Sequence, residues 1–242
     1  MLQEKNSETL LSAVRRDIRA LGSPERAKHS LRFFRTGPGD YGEGDKFYGL
    51  SVPEMRAIAK RYRDLDHDKV LELLQSEWHE DRMVALLVLV DGYKRGDDPR
   101  RQKIHRAYLA NTRRINNWDL VDMSASQVVG GHLEVDEISL LEKLARSKDL
   151  WERRIAIVAT FHFIKRDQFG PTLRIAEILI HDSHDLIHKA VGWMLREVGK
   201  RDRKVLDGFL AKHYHDMPRT MLRYAIERHP ETTRKRYLAG TI

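Results

Sequence analysis

Five segments of this sequence align on one alanine, and that register limits the fold more than any other feature. They are HEDRMVALLVLV around Ala85, WDLVDMSASQVV around Ala125, WERRIAIVATFH around Ala156, DLIHKAVGWMLR around Ala190 and PRTMLRYAIERH around Ala225. Successive alanines are 40, 31, 34 and 35 residues apart, and each interval holds two segments of helical apolar period. A helix pair every ~30–45 residues is the pattern of an α-solenoid of HEAT or armadillo type. Each alanine falls mid-helix, where a small side chain lets a neighbouring helix approach. The expected fold is therefore all-α, a superhelix of HEAT-like repeats. Equivalent faces of the second helices are expected to line a concave, basic groove. With no Gly/Ser linker to divide it, the chain reads as one domain over 1–242.

The individual helices follow from their punctuation. Residues 2–21 are amphipathic, with Leu10, Leu11, Val14, Ile18 and Leu21 at helical spacing. Ser23 caps a second helix that begins at Pro24 and runs to about Arg35. Thr36 to Gly49 is irregular, with five glycines in fourteen residues. It lacks the G-K-[ST] ending of a nucleotide-binding loop and reads as a turn-rich connection. Ser51 or Val52 caps a helix over about 53–63. Helical patterns then cover 68–75, 79–94, 100–110, 118–130, 137–146, 150–165, 171–181, 184–198, 202–214, 218–228 and 231–238.

Lysine and arginine number 44 against 36 aspartates and glutamates, a net charge of +8. That balance fits a polyanionic partner, nucleic acid first. The cations come as pairs spread through the helices, Arg113-Arg114, Arg153-Arg154 and Lys200-Arg201 among them, so the fold rather than a tail builds the basic surface. There is no cysteine, which excludes disulfides and thiolate metal sites. No apolar run reaches the ~18–20 residues of a membrane helix. The expected location is cytoplasmic, beside the nucleoid, with no membrane partner.

The stretch Asn116-Asn117-Trp118-Asp119-Leu120-Val121-Asp122 carries the chemistry. If Asn117 caps, Trp118 opens a helix and stacks over Asp122 one turn on, an aromatic plate and a carboxylate facing one way. Asp119, in the first turn, suits the helix dipole and reads as structural. Such a pair can handle a cation, or it can be a core tryptophan beside a solvated aspartate. In the repeat register, three residues before the alanine stand Arg82, Asp122, Arg153, Ile187 and Leu222, and only one repeat has a carboxylate there. Two before it stand Met83, Met123, Arg154, His188 and Arg223, and Trp193 lies three after Ala190. Trp78 and Trp151 sit at other offsets and read as packing between repeats. His181, His184 and His188 lie at i, i+3 and i+7 but lack a zinc-binding H-E-x-x-H pattern, so capping and solvent or DNA contact are the preferred roles and no metal is expected.

INNWDLVD, LWERRIAIV and HDLIHKAVGWMLREVGKRD resemble, in order and spacing, the AlkD-like branch of the bacterial DNA alkylation repair proteins, and the resemblance extends from Pro24 to about Tyr237. These are HEAT-like-repeat DNA glycosylases that excise N3- and N7-alkylated purines. The resemblance implies Asp122 as the catalytic carboxylate, with Trp118 and Trp193 as the active-site tryptophans. It places a backbone-contacting arginine on Arg154, with Arg153 beside it. Lys189, Arg196 and Arg223 complete the expected DNA-binding set. It further implies a monofunctional hydrolase without cofactor, a monomer, acting on alkylated duplex DNA without flipping the base into a deep pocket. A non-catalytic solenoid recognising damaged or branched DNA is the rival reading, and a protein scaffold is disfavoured by the basic charge.

Overall fold

A computed structural model describes residues 2–242, with side chains described from Leu10 onward. Two compact units divide the chain, Met1–Ser124 and Ala125–Ile242. The first contains α1 (Leu2–Ala20), α2 (Pro24–Phe33), α3 (Val52–Arg61), α4 (His67–Leu74), α5 (His79–Arg95) and α6 (Asp98–Ala110). The unit boundary falls inside α7 (Trp118–Val128). The second contains α8 (Ser139–Ala145), α9 (Leu150–Ala159), α10 (Phe161–Ile164), α11 (Gly170–Leu179), α12 (Asp185–Arg201), α13 (Arg203–His213), α14 (Arg219–Ala225) and α15 (Glu231–Ala239). Among the described residues, the only β pairing is an isolated parallel bridge between Lys46 and Trp78. The fold is all-α and built from successive helix pairs, as the α-solenoid class requires.

Helix starts follow the sequence closely. Ser23 Oγ accepts from the Arg26 amide at 3.4 Å, and Pro24 is the first residue of α2. At α3, Glu54 Oε2 accepts from both the amide and hydroxyl of Ser51, at 2.6 and 2.7 Å. These groups satisfy amide donors that a helix start leaves without intrahelical partners. Several helices end earlier than expected, α2 and α9 among them. α2 stops at Phe33, because Arg35 takes a left-handed φ of 52°. The segment 150–165 breaks at Thr160, whose hydroxyl donates back to the Ile157 carbonyl at 2.7 Å. Such back-bonding competes with the helical ladder.

Each unit is organised on one central helix. In the first, α5 packs against α3, α4 and α6. In the second, α12 packs against α9, α11, α13 and α14. All five register alanines are buried. Ala225 closes α14 rather than sitting in its middle. Where α14 meets α12 the small residue is Gly192: a Cβ there would lie 2.5 Å from the Met221 carbonyl oxygen.

The segment between α2 and α3 turns repeatedly yet buries Asp45 and Phe47. It is pinned by Glu80, whose Oε2 accepts from the Tyr48 amide at 3.0 Å. Glu80 Oε1 accepts from the amides of Gly49 and Leu50, at 2.7 and 3.2 Å. Gly49 has φ 87°, and a Cβ there would lie 2.3 Å from the Ser23 carbonyl oxygen, so glycine is required on both counts.

Candidate nucleic-acid repair site

In the first unit the site forms at the start of α7. Asn117 is fully buried, and its Oδ1 accepts from the Trp118 amide at 2.8 Å. Its Nδ2 donates to Asp45 Oδ2 at 3.2 Å. Trp118 therefore opens the helix, and Asp122 follows one turn later on the same face; both are half-buried. The Trp118 ring stacks on Phe34 at 5.3 Å between centroids and meets Phe33 edge-on at 5.7 Å. Phe33 itself is 55% exposed. Behind Asp122 lies the buried phenol of Tyr108, hydrogen-bonded to the Ser124 hydroxyl at 3.0 Å. Burial raises the Tyr108 pKa, and the Asp122 charge adds to the rise against the Ser124 hydrogen bond.

The two carboxylates of the motif have different surroundings. Asp119 Oδ2 lies 2.8 Å from His79 Nε2. The other nitrogen of that ring, Nδ1, lies 3.2 Å from Asp45 Oδ2. Arg82 donates to Asp45 Oδ1 at 2.6 Å. Burial disfavours a charge on His79, but Asp119 and then Asp45 outweigh it, and the pKa is pushed up to about 9. Asp45 is raised by burial but lowered more by His79, Arg82 and Asn117, ending below its ordinary value. Asp119 is thus engaged inside the fold, as its place in the first turn suggested. His79, Asp45 and Arg82 were not anticipated as site residues. The signal was present: HEDR opens a helix and all four of its side chains are buried.

In the second unit, Trp193 sits on α12, half-buried, and its Nε1 donates to Glu197 Oε1 at 3.2 Å. The Phe161 ring lies 6.0 Å from it. Arg154 is 5% exposed, and its NH1 donates to the Leu186 carbonyl at 2.7 Å. Arg154, expected by resemblance to contact the DNA backbone, here turns inward and ties α9 to the first turn of α12. Arg153 keeps more surface, and its Nε pairs with Asp182 at 2.6 Å. Lys189 pairs with Asp185 at 2.7 Å, Arg196 pairs with Glu227, and Arg223 is exposed.

The three histidines do not share a helix face. His181 lies in a turn, the ring of His184 caps α12 by accepting from the Leu186 amide at 3.1 Å, and His188 Nε2 bonds the Asp182 carbonyl. Among the described residues, no group of three His, Asp or Glu side chains is placed to hold a metal ion. Trp78 stacks on Tyr48 at 3.9 Å, and Trp151 is buried, consistent with packing roles.

Three comparisons bear on this arrangement. No curated protein matches the chain. Among solved structures, it is similar to one described as a predicted DNA alkylation repair enzyme from Enterococcus faecalis, with a TM-score of 0.67 and 16% identity over 87% of this chain and 97% of that one. At that identity the likeness speaks for the fold. The model of the DNA alkylation repair enzyme family matches residues 14–229, nearly the whole length, and on that match the chain belongs to the DNA alkylation repair enzyme family.

Proposed function

We propose that the protein is a monofunctional DNA glycosylase that hydrolyses the N-glycosidic bond of N3- and N7-alkylated purines in duplex DNA. The observation that carries this reading is the α7 site: Trp118 and Asp122 share one helix face while Asp119 is taken up by His79. Alkylation at N3 or N7 gives the purine a positive charge and makes it a good leaving group. Cleavage then passes through an oxocarbenium-like sugar, and the protein's task is to stabilise that cation and place a water. Asp122 supplies the negative charge. Trp118 and Trp193 offer π faces to the cationic base and sugar, each worth about 0.5–2 kcal/mol according to desolvation. Selectivity then comes largely from the lesion's own charge and lability, without flipping the base into a deep pocket.

Arg153, Lys189, Arg196 and Arg223 are the cations assigned to the phosphates. The first three are ion-paired with carboxylates; the Lys189–Asp185 pair is exposed and worth only ~0–1 kcal/mol, so a phosphate can displace that carboxylate, whereas Arg153 and Arg196 are more deeply set and must turn away from their partners to reach one. Arg154 acts within the protein, holding the helix that bears Trp193.

The test is base release from methylated duplex DNA by wild type and Asp122→Asn. Release of 3-methyladenine or 7-methylguanine by wild type alone supports both the reaction and the carboxylate. Tight binding with no release by either protein refutes the glycosylase and leaves a non-catalytic damage-recognition protein.

A further inference from the structure

Both sequence neighbours of Trp118, and its ring, are held by one buried cluster. Asn117 is tied to Asp45, Asp119 is tied to His79, and the indole rests on Phe34. Phe34 in turn packs on Phe47 and on His79, with centroids 5.1 and 5.0 Å away. His79 also stacks on Phe47 at 4.7 Å. The ring therefore has a carboxylate at each nitrogen and aromatic faces beside it. We propose that His79 is a positioning residue for the α7 site, a buried imidazolium that clamps the glycine-rich segment to the first turn of α7 and so sets how Trp118 and Asp122 are presented.

The geometry requires the charge. A neutral imidazole donates from one nitrogen only, so it can satisfy either Asp45 or Asp119. The imidazolium donates to both. The groups facing His79 are Asp45 and Phe47 from the glycine-rich segment, Phe34 from the end of α2, Asp119 from α7 and Arg82 from its own helix. With His79 charged, two cations meet two carboxylates. Loss of its proton leaves one carboxylate without its counter-charge in a buried site, a strongly unfavourable arrangement. The first turn of α7 relieves this by releasing Asp119, and Trp118 moves with it. The Thr36–Gly49 segment is then more than a connection: it delivers Asp45 and Phe47 to the back of the site.

The activity readout of this inference rests on the glycosylase reading, whereas a spectroscopic readout does not. Emission of Trp118, taken as wild type minus Trp118→Phe, is followed between about pH 7 and 10. A transition near pH 9 is expected in wild type and none in His79→Gln. Excision by wild type in a single turnover, corrected for enzyme-free release, falls along the same curve while DNA affinity changes less than about twofold. His79→Gln is slower by about tenfold or more at neutral pH, the scale of small misplacements at a reacting centre. Flat Trp118 emission across the range, or wild-type excision by a folded His79→Gln, overturns the proposal. If His79→Gln does not fold, Asp119→Asn decides: removing one carboxylate lowers the midpoint, and an unchanged midpoint overturns the clamp. If wild type releases no base at all, the glycosylase reading fails, and the emission titration still decides the role of His79.

Discussion

Replacing Gly192 and Gly208 by alanine, one at a time, should move stability in opposite directions. Both residues lie inside helices, α12 and α13, where alanine is favoured over glycine by ~1 kcal/mol. Around Gly208 a Cβ meets nothing within 4 Å, so that gain stands alone. At Gly192 a Cβ would lie 2.5 Å from the Met221 carbonyl oxygen and 2.5 Å from Tyr224 Cβ, against 3.4–4 Å for ordinary contact. Neither obstacle is a flexible side-chain end, so α14 must retreat from α12 by close to 1 Å at this point. Overpacking of this kind costs typically ~1–3 kcal/mol, and a backbone obstacle belongs at the upper end. The net loss for Gly192→Ala is about 2 kcal/mol, which lowers the melting temperature by ~4–8 °C; Gly208→Ala raises it by ~2–4 °C. Thermal melts by far-UV circular dichroism measure both. Melting of Gly192→Ala at or above wild type would refute the close-approach reasoning. Because Gly192 precedes Trp193, excision by Gly192→Ala should also fall.

The other expectations concern charge. His79 has a folded pKa raised from 6.5 to about 9, so its contribution is complete below the unfolded value and is lost as pH rises through the folded one. That is on the order of 3 kcal/mol, seen as a fall in melting temperature between about pH 6.5 and 9 that His79→Gln lacks. Glu80→Gln leaves one oxygen acceptor for three backbone amides, and should cost about 1–3 kcal/mol and expose the glycine-rich segment to proteolysis; equal protease resistance would argue against the pin. Arg154→Ala should lower stability by about 1–3 kcal/mol while leaving the salt dependence of DNA binding nearly unchanged. A salt slope reduced by about one would show that Arg154 reaches a phosphate after all.

The helices, most of their starts, the repeat register and the family were legible in the amino-acid sequence. These are local quantities: apolar periodicity, a capping serine at Ser23 or Ser51, and Asn117 before Trp118 are each written within a few residues. It also placed Trp118 and Asp122 on one face, because i and i+4 face alike in any α-helix. Which polar residues go inside was set by packing between helices. Arg153 and Arg154 are neighbours of identical type, and helix rotation against the packing partners turned Arg154 to the Leu186 carbonyl and Arg153 to Asp182. The cluster behind Trp118 joins Asp45, His79 and Asp119, far apart in sequence, and no periodicity reports a charge whose counter-charge is distant. The tight contact at Gly192 was likewise decided by α14, since how closely two helices approach is a property of the pair.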